Sequence, residues 1–238
     1  MEKSEKKIAY AALDIGTSQV KLGVYCPFLS DKITLIDNHA NKLIYGSSGE
    51  VLADYKVIRE TSFMLFKKLG SFLKRNKVEV LYLGICGHVS SLIEWNKTKG
   101  TPPEKPFPIW LDTTCYNSLD EYNSIMGNGK SKEIIGTFLP AGTNWLFTKL
   151  LHRRQSGFAT GSIFLQVSDA IFYELCGDYK THFSSQISMV DMKRREYAQE
   201  LLDHLKLDQS FLPSIDHSSR LILEQEKKLF DFPEESYV

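Results

Sequence analysis

The sequence has no excess of charge of either sign, no closely spaced cysteine pair and no long apolar run. It carries 29 Lys plus Arg against 29 Asp plus Glu, so electrostatics give no reason to expect nucleic acid or an anionic membrane as a partner. No stretch predicts a transmembrane helix, and the charged start MEKSEKK lacks the apolar stretch of a signal peptide. These features predict a cytoplasmic protein.

The four cysteines are too widely spaced to predict a disulfide framework or a zinc site. They are Cys26, Cys86, Cys115 and Cys176. Such thiols are typical of reduced, packed side chains in an intracellular protein. No internal repeat is visible, and 238 residues suffice for one large domain or two small ones.

Short apolar runs alternate with amphipathic segments, which predicts an α/β domain. IAYAALDI and VKLGVY predict two strands joined by a tight turn, and ITLID and NKLIYG predict a third strand and an edge strand. Apolar residues at helical spacing predict a helix over residues 58–76. The run VEVLYLGIC predicts a buried strand, with SSLIEW as its partner.

The second half of the chain is predicted to be mainly helical. TTCYNSLDEYNSI predicts a helix, GNGKSKE a solvated loop, and TNWLFTKLLHRR a helix that begins with a capping Thr or Asn. SDAIFYELCG has Ser168 or Asp169 at its start and Gly177 after its end, as expected of another helix. A last helix is predicted from about residue 194 to 205.

The stretch LDIGTSQVK places an acidic residue, a glycine and two hydroxyls inside the first hairpin. Backbone N–H groups and the hydroxyls of Thr17 and Ser18 can bind an anion, and Asp14 at the strand end can hold a hydrated metal ion. This combination suits a phosphate with Mg²⁺. The alternative is an ordinary hairpin whose Asp and Thr satisfy the backbone of their own turn.

Several segments together resemble one family of the ribonuclease-H-like superfamily, which includes actin, heat-shock ATPases and sugar kinases. LDIGTSQVKLGVY resembles the D-x-G-T-[ST] phosphate loop of the FGGY carbohydrate kinases. LGICGHVSSLIEWN resembles their Gly-x-x-Gly-Gln strand pair, PIWLDTTC their W-x-D-x-R segment and SDAIFYELCG their D-x-[LI]-x-x-x-L-[TC]-G stretch. The resemblance implies a ribonuclease-H-like (actin-like ATPase) domain over residues 1–215, with a mixed sheet flanked by helices, and a polar tail over residues 216–238.

The resemblance also implies a reaction and a nucleotide site. FGGY kinases transfer the γ-phosphoryl group of ATP to a hydroxyl of a sugar or polyol, with Mg²⁺, in a cleft between two such domains. On this chain Asp14 matches the metal-associated aspartate, while Gly16, Thr17, Ser18 and Lys21 match the residues that hold the phosphates. The family's C-terminal domain has no counterpart in the sequence, so the alternatives are a separate C-terminal half, a truncated gene, or a domain that has become a binding or regulatory module. The expected partner is a C-terminal half or, as a homo-oligomer, a second copy of the chain.

The implied sugar site departs from the family pattern. His88 and Ser90 stand where the family has Gln and further polar side chains that bind sugar hydroxyls, while Trp110 and Asp112 match the W-x-D positions. The arginine expected two residues later is Thr114, so one charge-assisted contact is missing. The alternative for His88 and Trp110 is ordinary packing in the core.

The catalytic position departs further, because His182 stands where the family has its catalytic aspartate. A neutral imidazole can act as a base near pH 7, but it carries no negative charge toward a cationic metal site. Asp178 and Asp191 are out of register. The chain is therefore predicted to be either the N-terminal domain of a ketose or polyol kinase or a catalytically degenerate sugar-binding or protein-interaction domain. An actin-like or heat-shock-type ATPase fragment shares the fold but matches these motifs less well.

Overall fold

The computed structural model describes residues 7–216 of the chain. The strands are β1 (Ile8–Ile15), β2 (Gln19–Tyr25), β3 (Thr34–Ala40), β4 (Leu43–Tyr45), β5 (Val51–Ala53), β6 (Val80–Gly87), β7 (Ile93–Asn96), β8 (Phe107–Pro108), β9 (Ser162–Leu165), β10 (Lys180–His182), β11 (Val190–Asp191), β12 (Glu196–Tyr197) and β13 (Ser214–Asp216). The α-helices are α1 (Tyr55–Arg75), α2 (Leu119–Met126), α3 (Lys130–Ile135), α4 (Leu146–Arg154), α5 (Val167–Cys176) and α6 (Gln199–Leu205).

The chain forms two compact units. Among the described residues, the first contains 7–42 and 56–87, and the second contains 43–55 and 88–216. No helix in this part of the chain is long and apolar enough to cross a membrane. Apart from Asp216, which ends β13, the tail predicted for residues 216–238 lies outside the described residues.

The first unit is built on a mixed four-stranded sheet in the order β3-β2-β1-β6. β1 pairs antiparallel with β2 and parallel with β6. Along β1 the residues from Ala9 to Ile15 at odd positions are buried, whereas Tyr10 and Ala12 are exposed, as period-two alternation requires. α1 contributes the buried apolar side chains that the helical spacing predicted. The two-strand hairpin, the third strand, this helix and the mixed α/β fold are confirmed.

Two predicted strand pairings are wrong. The NKLIYG strand, β4, pairs with β5 in a small three-stranded sheet with β8, and does not form an edge of the main sheet. The SSLIEW strand, β7, pairs antiparallel with β9 and not with the preceding β6. Residues in β7 and β9 lie about seventy positions apart in the sequence, as with Ile93 opposite Leu165, so a local pattern indicates a strand without naming its partner.

The second unit has its own apolar core, to which α2, α4 and α6 contribute fully buried side chains. These include Tyr122, Phe147, Leu150, Leu151, Leu201 and Leu205. The predicted helices TTCYNSLDEYNSI, TNWLFTKLLHRR and SDAIFYELCG are present as a short 3₁₀ turn with α2, as α4, and as α5. Helical apolar spacing predicted α4, and start and stop signals predicted α5. The whole run from Leu146 to Leu151 in α4 is buried, and not only one face.

The sequence missed α3 and placed the wrong cap at the start of α4. The predicted loop GNGKSKE instead contains most of α3, which is capped by Gly129 before its start and by Gly136 after its end, both with positive φ. α3 buries Ser131 and Ile135 completely, so tertiary packing stabilises a helix that its polar composition did not predict. α4 follows Trp145, which has no side-chain capping hydrogen bond, so the predicted Thr or Asn cap is wrong.

The boundaries of the last two helices also differ from the prediction. The N-cap of α5 is Gln166, and Asp169 completes its capping box from the third helical position. Gly177 ends the helix at φ 76°, as predicted. The last helix begins at Gln199 rather than near residue 194, because β11 and β12 form a hairpin just before it.

Candidate functional site

The turn between β1 and β2 is closed within the hairpin and anchored from outside it. Gly16 donates its N–H to the carbonyl of Gln19 at 2.8 Å. The Asn41 side chain donates to the carbonyl of Gly16 at 3.0 Å, and its backbone N–H donates to the carbonyl of Ser18 at 2.8 Å. A Cβ on Gly16 would lie 3.0 Å from the Gln19 oxygen, which favours glycine. The sequence did not reveal Asn41, because no local motif links it to the turn.

Asp14 and Lys21 lie directly opposite each other on β1 and β2. Lys21 Nζ is 3.0 Å from Asp14 Oδ2, and the two side chains are 51% and 38% exposed. On the other side, Cys86 Sγ lies 3.8 Å from Asp14 Oδ1. Burial raises the pKa of the Cys86 thiol, and the Asp14 carboxylate raises it further. The structure thus brings together Asp14, Lys21 and the turn in the first unit.

These residues fit a Mg²⁺ ion shared with a bound phosphate, and they do not fit a metal site built from protein side chains alone. Within residues 7–216, no three His, Cys, Asp or Glu side chains are grouped so that they could hold a metal ion. Mg²⁺ usually keeps several waters and is bound by one or two carboxylates together with substrate phosphates. Asp14 provides one accessible carboxylate beside the exposed Ser18, so the site fits Mg²⁺ held jointly by protein and phosphate.

In the second unit, Ser90 follows β6 in a strained backbone conformation with φ 59°. Its N–H donates to Gln166 Oε1 at 2.8 Å, and the residue is 2% exposed. The His88 ring lies 6.4 Å from that of Phe107 in a stacked arrangement. Both predicted residues therefore belong to a well-packed turn, and their contact with a sugar stays a prediction.

Trp110 and Asp112 lie in the turn that follows β8, but their side chains differ in exposure. Trp110 is 39% exposed, so its indole is not packed in the core. Asp112 is 1% exposed, and its carboxylate accepts hydrogen bonds from Val51 N–H at 3.0 Å, Thr114 N–H at 3.1 Å and the Thr114 hydroxyl. Thr114, which stands at the position of the expected arginine, is therefore a hydrogen-bond donor to Asp112. The geometry favours a structural role for Asp112 over the predicted contact with a sugar.

His182 is exposed at the end of β10 and caps the following 3₁₀ turn. Ser184 donates its backbone N–H to His182 Nδ1 at 3.3 Å, and the Ser184 hydroxyl lies 2.7 Å from the same nitrogen. A backbone N–H can only donate, so Nδ1 acts as the acceptor and the neutral ring carries its proton on Nε2. The remaining ring nitrogen is then a donor, which is the opposite of what a catalytic base requires.

A buried polar network links the Ser90 turn to the His182 segment. Gln166 accepts from Ser90 and donates to the carbonyl of Ser185, three residues beyond His182. Asp169 accepts from the Gln166 N–H at 3.1 Å and from the Gln186 side chain at 3.3 Å, and Gln186 also donates to Thr181 Oγ1. Burial raises the pKa of Asp169 to about 7. Sequence reasoning singled out Ser90 and Asp169 but did not reveal that Gln166 and Gln186 connect them.

A cavity of about 660 Å³ lies elsewhere in the second unit, beside α4, β7 and the proline-rich stretch before β8. Of the predicted substrate and catalytic residues, Asp112 lines it, whereas His88, Ser90, Trp110 and His182 do not. Apart from Asp112, the cavity therefore does not include the residues that the sequence predicted to bind a sugar.

The mixed sheet, its first hairpin and the anchored glycine turn define an α/β domain of the actin-like ATPase class. The chain matches the FGGY family of carbohydrate kinases, N-terminal domain, over residues 9–231, and it belongs to this family. The predicted membership is confirmed.

Individual relatives are distant and longer than this chain. Glycerol kinase from Aquifex aeolicus is 25% identical over 221 residues, which are 88% of this chain and 43% of that protein. Ligand-bound xylulose kinase from Lactobacillus acidophilus has a TM-score of 0.74 at 17% identity, over 94% of this chain and 45% of that one. Plasmodium falciparum glycerol kinase with ADP has a TM-score of 0.72 at 16% identity, over 93% and 46%. The chain thus spans less than half the length of each of these proteins.

Proposed function

We propose that this chain is the N-terminal half of an ATP-dependent carbohydrate kinase that phosphorylates a ketose or polyol, and that it works with a C-terminal half in the cytoplasm. The observation that carries this proposal is the Asp14–Lys21 pair beside the glycine turn, anchored by Asn41. It supplies a carboxylate for Mg²⁺, a cation for phosphate, and hydroxyls on a rigid turn. The relatives named as glycerol and xylulose kinases support the choice of a polyol or ketose as substrate.

In this proposal, each of the predicted residues has a separate task. Lys21 and the hydroxyls of Thr17 and Ser18 bind phosphate oxygens, while Asp14 holds the hydrated Mg²⁺ that neutralises charge on them. Trp110 offers an exposed indole face for a sugar or polyol, and His88 and Ser90 are retained as sugar-binding residues on the family resemblance alone. Asp112 and Gln166 position these segments through backbone hydrogen bonds and are not assigned contact with substrate.

Replacing Asp14 by asparagine is expected to weaken Mg²⁺-ATP binding by about tenfold or more, since the carboxylate that orients the metal is lost. The measurement is isothermal titration of the purified chain with ATP, with Mg²⁺ and then with EDTA. The difference between the variants should disappear in EDTA, because Asp14 acts through the ion. Asp31→Asn, an exposed substitution in the same unit, is the matched control. Equal Mg²⁺-ATP affinities for the two variants, or no binding by the unmodified chain, would contradict the phosphate site.

His182 favours a second candidate function, that of a catalytically degenerate sugar-binding or protein-interaction domain. The contact with the Ser184 N–H directs the proton of the neutral ring to Nε2, so the ring lacks a free acceptor nitrogen for a substrate hydroxyl. A domain of this kind retains the Trp110 surface and the anchored turn but transfers no phosphoryl group. It predicts ligand binding that does not depend on Asp14.

The tautomer of His182 is directly measurable. Long-range ¹H–¹⁵N spectra above the titration range of histidine should show His182 with its proton on Nε2 and with Nδ1 unprotonated. His204, exposed on α6, serves as the internal reference for an unconstrained ring. A dominant Nδ1–H tautomer would instead leave Nε2 as an acceptor, and this result would restore His182 as a candidate base for the kinase.

A further inference from the structure

Gln166, the N-cap of α5, holds two separate turns of the second unit with one side chain. Its Oε1 accepts the N–H of Ser90 at 2.8 Å, and its Nε2 donates to the carbonyl of Ser185. Gln166 is 2% exposed, so solvent does not readily replace either partner. If one of the turns moves away, the amide of Gln166 loses a hydrogen bond inside the core, and this loss is costly.

The first of these turns is strained. Ser90 has φ 59°, a left-handed conformation that is unfavourable for a residue with a side chain. Such a conformation persists only where the surrounding structure holds it. A second bond anchors the turn to the same helix, because Val167 donates its N–H to Ser91 Oγ at 2.9 Å. The start of α5 therefore keeps the Ser90 turn in a conformation that the turn does not favour by itself.

The second turn, over residues 183–186, also contains an unfavourable feature. Gln186 is 1% exposed, and its Oε1 is buried without a hydrogen-bond partner among the described residues. Its Nε2 donates to Asp169 Oδ2 at 3.3 Å and to Thr181 Oγ1 at 3.2 Å. An unsatisfied buried acceptor favours movement of the side chain toward a new partner. These two bonds, together with the contact between Gln166 and Ser185, oppose that movement.

Asp169 connects the contacts of the two turns. Its Oδ2 accepts from the side chain of Gln186 and also from the backbone N–H of Gln166, at 3.1 Å. Asp169 is 4% exposed, so this junction is also removed from water. Gln186 and Ser90 are thus joined by a continuous series of buried hydrogen bonds through Asp169 and Gln166. Hydrogen-bond networks of this kind carry energetic coupling between segments.

We propose that Gln166, supported by Asp169, couples the two turns, so that the Ser90 turn and the 183–186 turn move as one unit. When the second turn shifts, Gln166 loses a partner and no longer holds Ser90 in its strained conformation. The importance of this coupling for a substrate rests on the proposed function, in which Ser90 is a predicted sugar contact and the second turn follows His182. The coupling itself requires no bound ligand.

Hydrogen exchange followed by NMR tests the coupling in the full chain. Gln186→Met removes the bonds to Asp169 and Thr181 but changes neither partner of the bond between Ser90 and Gln166. Exchange of the Ser90 N–H should nevertheless become about tenfold faster or more. Gln155→Met, the same change at an exposed position, should leave this rate unchanged. Amides inside α2 report global opening and should change much less.

A cycle of single and double substitutions separates coupling from two independent contacts. Gln166→Met alone should accelerate exchange of the Ser90 N–H and of the Met189 N–H, which donates to the carbonyl of Gln186 at 2.8 Å. Adding Gln186→Met to Gln166→Met should then change Ser90 exchange by less than about twofold, because the connection is already broken. Thr181→Val, a change of nearly equal shape, replaces Gln186→Met if that variant does not fold.

Three results would overturn the proposal: unchanged Ser90 exchange in Gln186→Met, additive effects of the two substitutions on the free energy of opening, or equal acceleration of the α2 amides. None of these results depends on kinase activity. If the coupling is present but neither glycerol nor xylulose binds the unmodified chain in calorimetry, the coupling stands and the proposed function alone loses support.

Discussion

Replacing Asp112 by alanine is expected to lower the free energy of unfolding by about 3 kcal/mol, because three donors lose their buried acceptor. Those donors are the N–H of Val51 and both the N–H and the hydroxyl of Thr114. Asp112→Asn retains one carboxamide oxygen and should cost less, about 1 kcal/mol. The measurement is urea-induced unfolding of the unmodified chain and the two variants under identical conditions.

The unfolding experiment, combined with a measurement of sugar binding by the same variants, decides how Asp112 acts. Asp120→Ala, at an exposed position of α2, is the matched control and should change the stability by no more than about 0.5 kcal/mol. If Asp112→Ala were as stable as this control yet lost its affinity for a sugar, the side chain would act by direct contact, as the family resemblance implied. A large loss of stability would show that any accompanying loss of sugar binding is indirect.

The second large effect concerns Asp169 and depends on pH. Burial raises the pKa of this carboxyl from 3.8 to about 7 in the folded chain. Below about pH 3 the group is largely neutral in both states. As the pH rises toward 7, the unfolded chain ionises first, so the stability falls by roughly 4 kcal/mol in total across this range. Asp169→Asn remains neutral, retains an acceptor oxygen for the Gln166 N–H, and should escape this loss.

The expected result is therefore a stability difference between Asp169→Asn and the unmodified chain that is small near pH 4 and grows in favour of the variant up to pH 7. Denaturant unfolding at a series of pH values measures it. Asp120→Asn, which removes an exposed carboxyl, controls for the general effect of net charge. A difference independent of pH would show that Asp169 is already ionised when the protein is folded.

Much of the first unit was predictable because its signals are local. Alternation along β1, the helical spacing over residues 58–76 and the glycine turn each depend on a few consecutive residues. The position of Asp14 opposite Lys21 follows from the hairpin register alone. The role of Asn41 was not predictable, because it contacts the turn from beyond the next strand.

The second unit was harder to predict, since its pairings and polar contacts join distant segments. The β7–β9 pairing and the bond between Ser90 and Gln166 each link positions about seventy or more residues apart. The helix α3 was missed because burial of Ile135, and not intrinsic propensity, stabilises it. Likewise, a motif places Asp112 beside Trp110 but carries no information on which of the two is exposed.

The sequence by itself determined the α/β class, the family and the position of the glycine turn between β1 and β2, since each depends on residue identity and short-range spacing. Only the tertiary structure decided which residues are available for chemistry. It encloses the Asp112 carboxylate, directs the proton of His182 to Nε2 and buries the Lys149 ammonium against two backbone carbonyls. The physical reason is that burial and hydrogen-bond partners arise from packing between segments far apart in the chain.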